Sequence, residues 1–344
     1  MTQILPATSQ GIAQAASLLR EGALVAIPTE TVYGLAADAR NPHAVAGIFE
    51  AKDRPSFNPL IVHVPDLTAA EAIAVFPAPA EALATQLWPG PLTLVLPLRP
   101  DAGISDLVTA GGDTIAIRIP AHPVAQQLLR AAAIPLAAPS ANRSGRISPS
   151  RAAHVTDPDG GLDGRIAAVL DGGPCEVGLE STIIGWQGET ALLLRPGGLD
   201  AETIEHVMQR PLLRPRISIA AQAPDDSTGQ TTANSRKTHK DSPSGTATPT
   251  APGQLTSHYA PKAPLRINAQ TARPGETFIA FGPAGADGLT LSASRDLRQA
   301  AAALFETLRR ADRLGRPIAI APIPEQGLGL AINDRLRRAA APRD

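Results

Sequence analysis

Four short polar clusters, each following or entering an apolar run, carry the residue types that bind anions. PTETVYG (28–34) comes directly after the apolar run 23–28. Hydroxyls at the C-terminal edge of a strand face the crevice where α/β proteins bind ligands. A turn held by threonine side chains accounts for the same residues equally well. AKDRPSFNP (51–59) runs into the apolar LIVHV (60–64). Lys52 and Arg54 can reach one anion, and Pro55 and Pro59 stiffen the backbone that carries them. Arginine offers phosphate a planar fork, and lysine offers a point charge. Arg118 interrupts the apolar strand IAIRIP, which puts it on a solvent face or in a site. APSANRSG (138–145) supplies small hydroxyl and amide groups suited to phosphate or a nucleoside. GLEST (178–182), with RPGG (195–198) downstream, is the fourth cluster. Together they bring Lys52, Arg54, Arg118 and Arg195 toward one anion site for a phosphorylated ligand.

Other chemistries find little support. The seven histidines are scattered without metal-ligand spacing, and no GxSxG elbow, Walker loop or GxGxxG joins a strand to a helix. The single cysteine, Cys175, excludes a disulfide framework and a cysteine-based zinc site, and reads as a bystander rather than a nucleophile.

These clusters need a scaffold of alternating strands and helices. Strands are expected at 23–28, 59–64, 93–98, 114–119, 134–138, 166–170, 181–186 and 191–194. Helices are expected over 10–19, from Pro42 after an Asn41 cap to about Ala51, twice within 67–87, over 122–132, after a Ser150 cap, and from Asp200. Adjacent strands late in this region point to an α/β fold with a mixed sheet. Further on, strands at 277–281 and 318–321 flank a helix around Leu297–Leu308 and precede a basic helix at 328–339.

The chain has 344 residues, 31 basic and 32 acidic, for a net charge of −1. Its aromatic content of 3% demands an aliphatic, alanine-rich core, while 34 prolines must mark turns, strand ends and linkers. Residues 221–252 contain no large apolar side chain and read as a linker, since they cannot offset the entropy of ordering. The expected organisation is a catalytic domain at 1–210, a Pro/Thr/Ser-rich linker at 211–262 and a small α/β domain at 263–344. Net charge is −7 over residues 1–200 and +6 over the rest. Solvated charge is the plainer reading of that split, and docking of the two halves the sharper one. Apolar runs are strand-sized and no signal-peptide pattern opens the sequence, so a soluble cytoplasmic protein is expected.

The motifs PTETVYGLAADA, KDRPSFNPLIVHV, WPGPLTLVL, IAIRIP, PLAAPSANRSG, GLESTIIGW and LLRPG, in order over about 10–200, resemble the YrdC-like L-threonylcarbamoyladenylate synthases. The KxR pair (Lys52, Arg54) and the SxN pair (Ser140, Asn142) are that family's signature. Pro252-Gly253 and HYAP (258–261) resemble its long two-domain form, with Ala251 where that pattern has serine. The resemblance implies a twisted mixed sheet with flanking helices in the first domain and a Rossmann-like C-terminal domain. It also implies the reaction: L-threonine, bicarbonate or CO2 and ATP yield threonylcarbamoyl-AMP and pyrophosphate. That product feeds the N6-threonylcarbamoyl modification of adenosine 37 in tRNA, through a separate transferase machinery. Carried over by position, Thr31, His63, Arg118 and Ser181 match the threonine pocket. Lys52, Arg54, Asn58, Ser140, Asn142, Ser148 and Arg195 match the ATP side, with Thr114 and the Ala138 backbone nearby and Tyr259 folding over the nucleotide. Lys52 and Arg54 are the expected catalytic pair. Mg2+ is expected on the phosphates, with no metal ligand from the protein and no prosthetic group. Weak or no direct tRNA binding and no membrane contact are expected. Two rival classes are an RNA-binding or ribosome-maturation protein and a carbamoyl-phosphate-dependent enzyme. The acidic first half and the missing aromatic platform oppose the former, and the single cysteine opposes the zinc-finger architecture of the latter.

Overall fold

The computed structural model describes residues 1–214 and 258–342. The low-complexity stretch 221–252, Ala251 and Pro252-Gly253 lie outside the described residues.

Ten strands form the larger sheet: β1 (Gln3–Pro6), β2 (Val25–Ile27), β3 (Gly34–Asp38), β4 (Ile61–His63), β5 (Leu92–Pro97), β6 (Thr114–Arg118), β7 (Leu136–Ala137), β8 (Ala168–Asp171), β9 (Thr182–Gln187) and β10 (Thr190–Arg195). Their order is β1-β8-β2-β3-β7-β4-β6-β5-β9-β10, with parallel and antiparallel neighbours, so the sheet is mixed as expected. Helices α1 (Ser9–Arg20), α2 (Pro42–Lys52), α3 (Leu67–Glu71), α4 (Ala78–Leu87), α5 (Asp106–Thr109), α6 (Pro123–Ala132), α7 (Ala152–Val155) and α8 (Ala201–Met208) connect them.

Local sequence sets several of these boundaries. Asn41 accepts the N–H groups of His43 and Ala44 and Pro42 fills the first helical position, so α2 starts where the cap dictates. It ends at Lys52 because Asp53 turns left-handed, at φ 51°. Asp200 caps α8 through the Thr203 N–H. Ser150 does not cap α7. Arg151 holds that position without a side-chain cap, while the Ser150 N–H is spent on His154 Nδ1. Strand β3 was not expected, because the Gly- and Ala-rich GLAAD has weak strand propensity and pairs only through tertiary context.

The two faces of the sheet are covered differently. On one, Leu35, Ala37, Val62, Leu94, Ile117 and Ile184 form the main core with residues of α2 and α4. On the other, α1 and α6 cover Val25, Ile27, Ala36, Leu136 and Leu170. Beyond β7 that cover ends. There Ile61, Ala116 and Ile183 form a small apolar group joined by no helix residue. His63 and Arg118, paired across β4 and β6 in register, lie on this same uncovered half.

The C-terminal unit has β11 (Leu265–Arg266), β12 (Thr277–Ile279) and β13 (Ile318–Ile320) in a parallel sheet ordered β11-β13-β12. Helices α9 (Leu297–Asp312) and α10 (Leu328–Ala340) complete it. Its core includes Val32, Ile147 and Leu179 from the first domain, so the two units share buried apolar surface. Gly178, at φ +70°, lies against α9; a Cβ there would come within 2.6 Å of the Ala302 backbone.

Acidic residues of the first domain meet basic residues of the second across this junction. Asp157 binds Arg309 and Arg313, Asp159 binds Lys262, and Glu180 binds Arg335. The charge split thus reflects docking at least in part, and the plainer reading of it as solvated surface is corrected. Helix α10, expected as a basic helix, buries Arg335 and Arg338. No helix among the described residues is long and apolar enough to cross a membrane.

Candidate active site

The C-terminal ends of β4, β6 and β10, the loops after β2 and β7 and the loop leading into β9 converge on the uncovered half of the sheet. A cavity of about 50 Å3 lies there, lined by Thr31, Arg54, His63, Arg118, Ser140, Glu180, Ser181, Arg195, His258 and Tyr259, with Val32, Ile61 and Pro139. Eight of the fourteen sequence-predicted site residues are therefore brought to one cavity.

Both readings of the first cluster hold, for different residues. Thr29 is the turn former: its hydroxyl receives the N–H groups of Thr31 and Val32 and donates to the Val32 carbonyl at 2.6 Å. Thr31 faces the cavity and accepts from Arg118 Nη1 at 2.8 Å. Arg118 is in a site rather than on a solvent face. Its Nε donates to the Gly90 carbonyl at 3.2 Å, and Nη2 lies 2.7 Å from Glu30 Oε1. The guanidinium is thus oriented from three sides before any ligand arrives. Its neighbour His63 is buried beside that cation, and both effects push the imidazole down to about 3, so it is neutral at physiological pH.

Arg54 and Arg195 add two further cations to the lining. Arg54 has no acidic partner among the described residues; its Nε and Nη2 donate to the carbonyls of Asn58 and Pro59. Burial, with Arg195 nearby, pushes it down to about 10. Arg195 donates to the Ser181 carbonyl and hydroxyl, and Ser181 Oγ lies 2.7 Å from Thr93 Oγ1.

The remaining expected residues sit behind or beside the cavity. Lys52, 1% exposed, does not line it; its ammonium donates to the carbonyls of Ser140 and Asn142, which ties α2 to the SxN loop. Burial, then the adjacent Arg54, hold its pKa well below the ordinary lysine value. Asn142 spends its amide N–H groups on the carbonyls of Arg143 and Arg146. Asn58 is fully buried with neither amide atom hydrogen-bonded. Ser148 donates to Glu180 at 2.6 Å. The Ala138 N–H is taken by the Ile61 carbonyl. Thr114 is exposed at the far end of β6, four residues from Arg118 on the same face. It lines a separate cleft of about 220 Å3 with Pro59, Val95 and Ala116.

Residues not singled out from the sequence complete the walls. Glu30 pairs with Arg118, and His258 lines the cavity beside Tyr259. Arg335 of α10 reaches Glu180 and lies over the Tyr259 ring, 5.0 Å from its centroid. Position within PTET and GLEST was the only signal for the acids; Arg335 had none, since helical spacing alone marks it as one arginine among several. Cys175 is buried and pushed up to about 12, chiefly by burial, which leaves it protonated and inert. Among the described residues, no group of three or more His, Cys, Asp or Glu side chains could hold a metal ion.

A family model described as telomere recombination matches residues 17–197, and one described as threonylcarbamoyl-AMP synthase, C-terminal domain, matches residues 200–341. The threonylcarbamoyl-AMP synthase of Bacillus subtilis is 41% identical, over 100% of this chain and 96% of its own. That of Pyrococcus abyssi is 40% identical, over 95% of this chain and 93% of its own. The crystal structure of Pyrococcus abyssi Sua5 complexed with L-threonine superposes with a TM-score of 0.82 at 36% identity, covering 99% of this chain and 97% of that one. With both domain models matched and full-length relatives agreeing, the chain belongs to the two-domain threonylcarbamoyl-AMP synthases, transferases that form an adenylate from ATP.

Proposed function

We propose that the cavity on the uncovered sheet half is where L-threonine, bicarbonate or CO2 and ATP meet, and that its residues divide the work as follows. The carrying observation is that the pre-oriented Arg118 lines one cavity together with Arg54 and Arg195. Arg118 receives the threonine carboxylate, with Glu30 and Thr31 holding the guanidinium plane. Ser181 and neutral His63 offer hydrogen bonds to the substrate hydroxyl and amine. Arg54 and Arg195 take the phosphates, and Lys52 fixes the Ser140–Asn142 loop whose backbone and side chains flank them. Adenosine extends along Ile61 and Ala116 toward Thr114, where the sheet is bare.

In the reaction the threonine amine attacks the carbon of CO2, or of bicarbonate with loss of water, and releases a proton. A carbamate oxygen then forms a bond to the α-phosphorus as the bond to pyrophosphate breaks. No covalent enzyme intermediate is required. Positioning and charge stabilisation at phosphorus supply the acceleration. Mg2+ would travel on the triphosphate, since among the described residues no group of three or more His, Cys, Asp or Glu side chains gathers here, and no step is routed through it.

At about 50 Å3 the cavity has room for only a few water molecules. The 258–260 segment must therefore move to admit ATP, and its return would keep water from the mixed anhydride. We place the reaction in the cytoplasm, with the product passed to the tRNA-modifying transferase. The test is mass spectrometry of the product together with pyrophosphate release. Release should need both threonine and bicarbonate; release without threonine, or only with carbamoyl phosphate, overturns the assignment.

A further inference from the structure

The C-terminal domain sends one side chain into the wall of the nucleotide cavity. Arg335 has no exposed surface. Its Nε donates to Glu180 Oε2 at 2.8 Å, while Nη1 donates to the Pro196 carbonyl at 3.0 Å and to Asp334 Oδ2 at 2.6 Å. Its guanidinium covers the face of Tyr259, which also stacks on Phe305 and meets the His258 ring edge-on. Pro196 directly follows Arg195 in the chain, so Arg335 grips the cavity wall at three points: Glu180, the backbone beside Arg195, and Tyr259.

Glu180 makes this arrangement consequential. Among the described residues it is the one acid that lines a cavity carrying Arg54, Arg118 and Arg195, Glu30 lying behind Arg118. An unpaired carboxylate there would repel a triphosphate and compete for Arg195. We infer that Arg335 is a positioning residue of the nucleotide site, neutralising Glu180 from behind and seating Tyr259, so that the carboxylate is answered before a triphosphate meets it.

The groups facing Glu180 from every side fit that role. Ser148 donates to its other oxygen, Arg195 and Arg335 are the nearby cations, and His258, Tyr259 and Asp334 complete the surroundings. Burial alone raises the Glu180 pKa, yet Arg335 and then Arg195 hold it below the ordinary carboxylate value. The carboxylate is therefore ionised, and its charge must be answered locally. Asp334 and Arg338, 3.0 Å apart on α10, extend the pairing away from the cavity, so Arg335 is braced on its own helix.

This inference rests on reading the Arg54–Arg195 side as the ATP site, and the test separates the two. In steady-state pyrophosphate release, Arg335→Met should raise the KM for ATP about tenfold or more, because it leaves a buried charge unanswered. The KM for threonine should change far less, since Arg118 is held independently. Adding Glu180→Gln to Arg335→Met should lower the KM for ATP again. A merely structural role predicts the opposite, with two buried changes compounding. Arg335→Lys keeps a charge against Glu180 and should stay nearer the parent, and it serves where the Met variant fails to fold. An unchanged KM for ATP in Arg335→Met, a double variant no better than the single, or a Lys variant as impaired as Met would overturn the inference. Arg54→Ala in the same assay checks the underlying site: if it leaves ATP kinetics untouched, the ATP assignment itself fails.

Discussion

Lys52→Met should lower activity at every pH but change stability in a pH-dependent way. The ammonium is almost fully buried and, among the described residues, is answered by two backbone carbonyls, with the Arg54 charge acting against it. Methionine fills similar volume without a charge. The two carbonyls lose a donor, at about 1–3 kcal/mol each if no water replaces it. Removing a penalised buried charge offsets that loss. Linkage separates the two effects. A lysine whose folded pKa is depressed binds fewer protons than in the unfolded chain over the range between the folded value and about 10.4. Parent stability therefore rises with pH across that range, by up to about 1.4 kcal/mol per pH unit from this group, and the variant lacks the contribution. Urea unfolding of both proteins from pH 7 to 9.5 measures it. The stability of Lys52→Met relative to the parent should fall steadily as pH rises, while pyrophosphate release is down on the order of 100-fold at every pH. A stability difference independent of pH would refute the claim that burial penalises this ammonium. Normal turnover would refute its place in the site.

Arg118→Ala should cost about 3–5 kcal/mol in chemical unfolding, because Glu30 is left buried without its cation. Equilibrium dialysis should show threonine binding lost in the same variant, and unchanged binding would sever Arg118 from the substrate. Acidification should destabilise the protein between pH 6.5 and 4.5, where His63, His154 and His258 stay neutral when folded but take up protons when unfolded. Each contributes up to about 1.4 kcal/mol per pH unit, and a flat unfolding midpoint across that window would contradict their burial as neutral groups. Cys175→Ala, or treatment with a thiol-alkylating reagent, should leave turnover intact, since the thiol is buried and protonated; strong inhibition would overturn that view. Thr114→Ala should alter the KM for ATP and not that for threonine, because a strand rise of ~3.3 Å per residue puts it about 13 Å from Arg118.

The anion-binding clusters were legible because their chemistry is local: a hydroxyl, amide or arginine at a strand end announces itself within five or six residues. Their convergence on one cavity also followed from strand-end placement, through the α/β rule that ligands gather there. What could not be read depended on partners far along the chain. Lys52 looked like an open phosphate contact, yet it is caged by carbonyls about ninety residues away. Thr114 shared a strand with Arg118, but only the sheet geometry sets the distance between them. Strand β3 escaped notice because GLAAD has little intrinsic reason to be extended. Arg335 and Arg338 resembled any solvated arginines on a helix until Glu180 and Asp334 were placed beside them.

Gly178 leaves the domain junction no room for a side chain. Helix α9 touches the chain where even one methyl group would collide with backbone atoms that cannot rotate away. Two residues later comes Glu180, and then Ser181. The loop that presents these groups is thus calibrated by the second domain, much as a jig fixes a workpiece. A substitution at this glycine would act as a shim, displacing the site as a unit while leaving every side chain in it chemically intact.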